Sequence, residues 1–332
     1  ELTIGKIDIG LLNRIIIDDV LLDDQSGKEM LKITRLSAKF DIIPLFNGKI
    51  TISSVQLFGF NINLNKPAPH MEPNFKFVLD AFASKDTVKT KKDIDLRINS
   101  ILIRRGKLSY DVLSEEETPG KFNPQHIKLH NIIANISLKA LQNDSINAAI
   151  KRLSVDEQSG FELRKLSLKV IANNKGMKIE NFAIEMPGTE MKMDTIRMEY
   201  DSLKALNHFA DNVRFSFRTL PSHVTLNDIS AFVPALSNFK EKLDLNIDVE
   251  GTLNQLNCRT LEINAGDKFR LKGDVSLQDL SRPQDAYVYG HLANLSANKE
   301  GIGFLVRNLS PHYNGVPPVL QHLGNTSFHG EI

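Results

Sequence analysis

His126 and His130 lie four residues apart, a spacing that on a helix would put two imidazoles on one face and begin a metal site. They stand instead in HIKLHNIIANI, which alternates as a strand does. There four residues span about 13 Å, too far for a shared ion. Asp18-Asp19 and Asp23-Asp24 flank Val20-Leu21-Leu22. Paired carboxylates can act as acid and base or hold calcium, but no Asp/Asn-Gly calcium loop follows, and solvated strand ends account for them. The acidic run from Ser114 to Glu117 reads as a solvated loop. Cys258 is the only cysteine, so no intrachain disulfide can form, which leaves the compartment open. It falls at an apolar strand position and reads as a buried, inert thiol. The sequence has no Gly-rich phosphate loop, nucleophile elbow or zinc spacing. The expectation is a non-enzymatic chain with no metal site and no cofactor.

Charge adds a second exclusion. The 332 residues hold 41 basic and 40 acidic side chains, so no basic excess points to nucleic acid. No stretch reaches the roughly 18 apolar residues of a membrane span, and no signal peptide is present. The chain opens at Glu1 inside a strand pattern and ends on His329-Gly330-Glu331-Ile332, so it reads as a fragment of a longer protein.

The elements that must carry any function show one repeated pattern. Apolar residues recur at i, i+2, i+5 and i+7 with polar residues between: Ile15, Ile17, Val20 and Leu22, then Leu31, Ile33, Leu36 and Ala38, then Ile50, Ile52, Val55 and Leu57. Steps of two describe a strand with one apolar face. The central step of three would turn half of those residues to the wrong side of a flat strand. A bulge or bend keeps both halves on one face, with the apolar side inside the bend. Ten stretches between Leu2 and Ile263 meet the full template, against about two expected by chance from residue fractions. The intervals vary, which excludes a fixed-period solenoid.

Taken in order, the pattern divides the chain into a β segment over 1–112, with a short helix near 74–84, then a β-meander over 113–200. A further β segment with short helices follows over 201–310, one of them expected over Asn298–Leu309, and 311–332 reads as the start of another segment. In NFKFVLDAFAS, Asn74 suits a helix N-cap, and Phe75, Val78, Leu79 and Phe82 share a face. Strands of about eight residues joined by Gly-bearing turns (DEQSG, ANNKG, MPGTE) read as antiparallel. The fold class expected is mainly β: an elongated, curved, largely antiparallel sheet plus a few short α-helices. Its apolar face needs cover. A second sheet or barrel closure would supply it, and so would apolar ligand filling an open trough. Alternation alone is the same in both.

The order of phrases resembles the TamB family, translocation and assembly module proteins of the AsmA-like group, in their Bacteroidota form. DVLLDDQSG is followed by LKITRLSAKFDIIPLFNGKITISSVQLFGFNINL, a Pro-bearing gap and the NFKFVLDAF helix. FELRKLSLKV, NDISAFVPAL and VEGTLNQL are similar to later parts of the same family, so the likeness runs to about Leu309. The resemblance implies the periplasm of a Gram-negative bacterium, with anchorage to the inner membrane through an N-terminal helix that this sequence lacks. It implies a taco-like sheet with a hydrophobic interior that carries phospholipid acyl chains between the inner and outer membranes. The family is also linked to assembly of outer-membrane or secreted proteins with a barrel partner of the TamA type. It has no catalytic residues to carry over.

Under the trough reading the candidate lining is given by the template positions. In the first segment these are Leu31, Ile33, Leu36, Ile50, Ile52, Val55, Leu57, Leu96, Ile98, Ile101 and Ile103. In the meander they are Ile127, Leu129, Ile132, Phe161, Leu163, Leu166, Leu168, Met177, Ile179, Phe182, Ile184, Met191, Met193, Ile196 and Met198.

Overall fold

The computed structural model of the chain describes residues 1–11, 13–41, 50–83, 94–95, 98–142, 145–282, 284–309 and 324–331. The fold is mainly β and largely antiparallel with a few short helices, as the alternation requires. Two compact units can be told apart: Glu1–Lys139 with Ile150–Leu163, and Ala140–Ala149 with Arg164–Ile332.

In the first unit β1 (Leu2–Gly10), β2 (Arg14–Asp23), β3 (Glu29–Phe40) and β4 (Ile50–Lys66) pair antiparallel in chain order. α1 (Lys76–Ala83) and the two-residue β5 (Ile94–Asp95) follow. β6 (Ser100–Val112) then joins β4 in parallel, and β7 (His126–Gln142) pairs antiparallel with β6. A parallel pair cannot be closed by a tight turn, and α1 lies in the crossover that the geometry demands. β8 (Ser145–Glu157) begins in the stretch assigned to the second unit, and its C-terminal part lies in the first. That end is bonded to β7 through Gln158 N–H to the Lys128 carbonyl.

The helix lies where the sequence predicts it, with two corrections. Asn74 does not cap it: its Oδ1 accepts from the Asn65 backbone N–H at 2.9 Å, and its Nδ2 donates to the Asn63 carbonyl at 3.1 Å. The amide tethers the helix entrance to β4, a use open to any Asn whose strand neighbour has an unpaired backbone edge. Leu79, expected on the buried face, is 54% exposed.

β9 (Glu162–Ala172), which enters the second unit at Arg164, and β10 (Gly176–Glu185) form a hairpin. β10 then pairs with β11 (Glu190–Met193) along one half and β12 (Ile196–Glu199) along the other. After a 3-10 turn and α2 (Phe209–Asn212), β13 (Arg214–Arg218) and β14 (Ser222–Val224) both pair with β15 (Leu243–Thr252). A meander of β16 (Gln255–Ala265), β17 (Phe269–Gln278), β18 (Tyr287–Ala297) and β19 (Thr326–Glu331) completes it. α3 (Lys299–Leu309) lies where a helix is expected, and residues 226–229 and 234–236 form 3-10 turns around Pro234. Among the described residues no helix is long and apolar enough to cross a membrane.

Candidate functional site

The step of three becomes a crease shared by neighbouring strands. On β1, Leu2, Ile4, Ile7 and Ile9 face Leu22, Val20, Ile17 and Ile15 of β2. The same four β2 residues face Leu31, Ile33, Leu36 and Ala38 of β3, and these face Ile62, Phe60, Leu57 and Val55 of β4. Template meets template, so four apolar rows run across the strands. The register through the crease is constant in these three pairs: Ile4 faces Val20 and Lys6 faces Asp18, with Gly5 and Asp19 passing each other unpaired. No residue is inserted on one strand alone, so of the bulge or bend expected from the sequence it is the bend that occurs here, a fold line crossing all four strands in phase. Register slips of the bulge kind do occur at the corresponding place in β6–β7 and in β9–β10.

The fold line has a backbone cause. Asp19, Gly59, Arg105 and Asn131 adopt left-handed conformations with φ of 54°, 64°, 56° and 55°, and in the second unit Asn181 has φ 55°. Each stands four residues after the first apolar residue of its copy. Gly, Asn and Asp tolerate this region best, and Arg105 is the exception. Its guanidinium lies 5.1 Å from the centre of the Phe58 ring, a cation–π contact. Gly, Asn or Asp at i+4 was the signal that the apolar pattern by itself overlooked. Gly106 takes an apolar row position on β6 because the Phe60 ring occupies the space a Cβ would need.

The crease is also where the first unit is best packed. Val20, Ile33 and Phe60 are its buried cluster, with Ile17, Leu36, Leu57, Ile103 and Ile132 packed against them from both sides of the fold line. Away from it the apolar face is only partly covered. Of the predicted lining residues, Leu96 lies outside the described residues and so does the Ile50 side chain. Of the remaining 24, Ile33, Leu163 and Ile196 are buried and 21 are half-buried; none is exposed. Register also selects between overlapping copies. β4 meets β3 through Val55, Leu57, Phe60 and Ile62, and Ile52 faces Phe40 beyond a register shift. β6 meets β4 through Ile101 and Ile103, while Ile98 precedes the strand.

In the second unit Met177, Ile179, Phe182 and Ile184 of β10 face Met198, Ile196, Met193 and Met191. Val249, Cys258 and Val275 form one buried cluster, which places the thiol where its apolar position predicts. Burial raises its pKa above the ordinary range, as expected of an inert thiol. Leu243, Ala265 and Phe269 form another, which α3 covers with Phe304. Phe304 meets Phe239 edge-on at 5.6 Å. α3 therefore seals one patch of this face.

The opposite face is polar and laddered by cross-strand pairs. Arg35 grips Asp18 at 2.6 and 3.1 Å, and Glu180 accepts from Lys169 at 2.7 Å and meets Lys178 at 2.5 Å. These two lysines hold the Glu180 carboxyl down to about 2. An open cleft of about 680 Å³ sits on this face at the crease, between Asp18, Arg35, Gln56, Phe58 and Arg104.

The histidines are not brought together. His130 is beside Asp156 at 3.9 Å, whereas His126 is buried and places Nδ1 2.9 Å from Asp111 Oδ1 and Nε2 3.0 Å from the Glu115 carbonyl. Asp111, Glu117 and His126 do bring ligand-type atoms within 4.8 Å of one another. Both imidazole nitrogens are already engaged, however, and Lys128 donates to Glu117 at 2.9 Å. The hydrogen bond with Asp111 raises the His126 pKa most, burial opposes it, and the Glu115 carbonyl adds to the rise. This is a charge-paired latch at the start of β7. The aspartate pairs also separate by role: Asp18 binds Arg35, Asp19 makes the crease, and Asp24 organises a turn by accepting from Ser26 N–H at 2.8 Å and Lys28 N–H at 3.0 Å. No protein-family model matches the chain, and no curated protein matches it.

Proposed function

We propose that the apolar face of this chain binds lipid acyl chains, and that the chain works as a segment of a periplasmic, TamB-like bridge passing phospholipid between the inner and outer membranes. One observation carries the reading: along rows of Leu, Ile, Val, Met and Phe, the candidate lining stays half-buried instead of being sealed by a second layer. A self-packed sandwich would bury the inward residues of its central strands, because two facing sheets interdigitate. A continuous, partly covered apolar surface marks a ligand or interaction site. The sequence resemblance supplies the lipid class and the compartment.

The test places photo-crosslinking residues at Leu57 and Leu166 on the apolar face, and at Lys32 and Lys178 as controls. Irradiation in a bacterial envelope followed by mass spectrometry should give phospholipid adducts at the first two and none at the controls. Adducts at neither apolar position would sink the proposal. Replacing Leu36 and Leu57 together by Glu should abolish co-purifying lipid while the far-ultraviolet dichroism remains that of a β protein.

A further inference from the structure

At the crease cleft the polar face departs from its own pattern. Register sets Asp18 beside Arg35, Arg35 beside Phe58 and Phe58 beside Arg104, one row across β2, β3, β4 and β6. The next row sets Ser37 beside Gln56 and Gln56 beside Leu102. Phe58 and Leu102 line the cleft at positions where alternation with the apolar rows calls for polar residues, and Phe58 is 38% exposed. The arginines are not equivalent. Arg35 commits its fork to Asp18, at 2.6 and 3.1 Å, whereas among the described residues Arg104 has no carboxylate partner. Arg105 comes to the same side, because the turn at the crease lets consecutive residues share a face that a flat strand would divide between them. It holds a left-handed φ of 56° where the other turns use Gly, Asn or Asp, and its guanidinium lies over the Phe58 ring. Backbone strain held against local preference clusters at functional positions. Each of the four strands is paired along both edges, so the cleft is built wholly within the sheet.

We propose that this cleft binds a small organic monocarboxylate with an aromatic or short alkyl body. The carboxylate takes the open fork of Arg104, a planar match that gives two parallel hydrogen bonds. The apolar body lies on Phe58 and Leu102, bordered by the Gln56 amide. A cleft of about 680 Å³ is of the size that holds such a molecule. Asp18 and Asp19 line the far end and set the charge, because they repel a dianion such as a phosphate monoester more than a single carboxylate. Arg105 is a positioning residue that braces the Phe58 ring. The inference does not rest on the lipid reading. A lipid whose chains lie on the apolar rows has the sheet between it and Arg104.

The probe is naphthoate, titrated into the full chain and followed by calorimetry. It should bind saturably, with naphthalene methanol and naphthyl phosphate each about tenfold weaker or more. Arg104→Gln should weaken naphthoate binding about tenfold or more, the loss expected for one charge-assisted pair, with the melting temperature retained. Arg104→Lys keeps the charge without the fork and should fall between. Arg105→Gly suits the left-handed turn, so it should retain the melting temperature yet bind several-fold more weakly. Arg197→Gln, on an exposed position of β12, should change nothing. Lipid adducts at Leu166 should be the same in Arg104→Gln as in the unaltered chain, so this proposal and the lipid reading fail separately. Absence of saturable naphthoate binding would overturn the proposal. So would equal affinity for the alcohol or the phosphate, or undiminished binding by Arg104→Gln or Arg105→Gly.

Discussion

His126 has a defined acid–base consequence. Its two nitrogens face a carboxylate and a carbonyl, so only the imidazolium donates to both. Its folded pKa therefore lies above the ordinary value of about 6.5. A group raised on folding contributes stability that is complete below the unfolded pKa and is lost as pH rises through the folded one. The urea midpoint should stay level between about pH 4 and pH 6 and fall as pH climbs past the raised value. Asp111→Asn should flatten that profile and cost about 1–3 kcal/mol at low pH, the usual penalty for unpairing a buried polar group. Asp24 behaves in the opposite sense. Burial opposes its charge, but hydrogen bonds from Ser26, Lys28 and Asn74 outweigh this and hold its pKa down. Its contribution is present above about pH 4 and lost as pH falls through the depressed value. Asp24→Ala should cost about 1–3 kcal/mol in equilibrium unfolding at neutral pH.

Among the strands, the crease is the element that sets everything else. A left-handed residue on one strand turns the chain, its neighbour passes it unpaired, and both halves of each strand present their apolar residues to one face. Gly106→Val should drive a side chain into the Phe60 ring and cost about 1–3 kcal/mol of stability. Adding Phe60→Ala should recover part of that loss, so the double variant will be less destabilised than the sum of the singles. In β10, Asn181→Gly should be tolerated, while Asn181→Val should lose about 1–2 kcal/mol because a β-branched residue resists φ near 55°. Thermal unfolding of the five variants, Phe60→Ala alone among them, beside the unaltered chain checks both statements.

For the molecule as a whole, a partly covered apolar face predicts that ligand and stability are linked. On the proposed lipid binding, protein extracted with organic solvent should bind a hydrophobic dye and self-associate. Returning phospholipid at about a hundredfold over its dissociation constant should add about 2.7 kcal/mol, read as a rise in melting temperature and loss of dye signal. The polar ladder should matter less. Pairs such as Lys169–Glu180 stay partly open to solvent, where screening leaves ion pairs little to contribute, so salt should scarcely move the unfolding midpoint.

The sequence by itself determined which residues belong to one face, because side-chain alternation is a property of each strand taken alone. It determined the mainly β, antiparallel character, the places of α1 and α3, and the buried Cys258. The step of three was legible too, and the Gly, Asn or Asp at its fourth place could have been read with it. Only the tertiary structure decided the register, since a copy at Ile50–Leu57 and one shifted by five residues fit the same letters until β3 selects the second. It also decided that β4 and β6 run parallel, that Asn74 serves β4 and not its helix, and that His126 joins Asp111 and not His130. These are contacts between residues far apart in the chain. Local periodicity cannot rank them, because their energy arises only when separate strands are laid side by side.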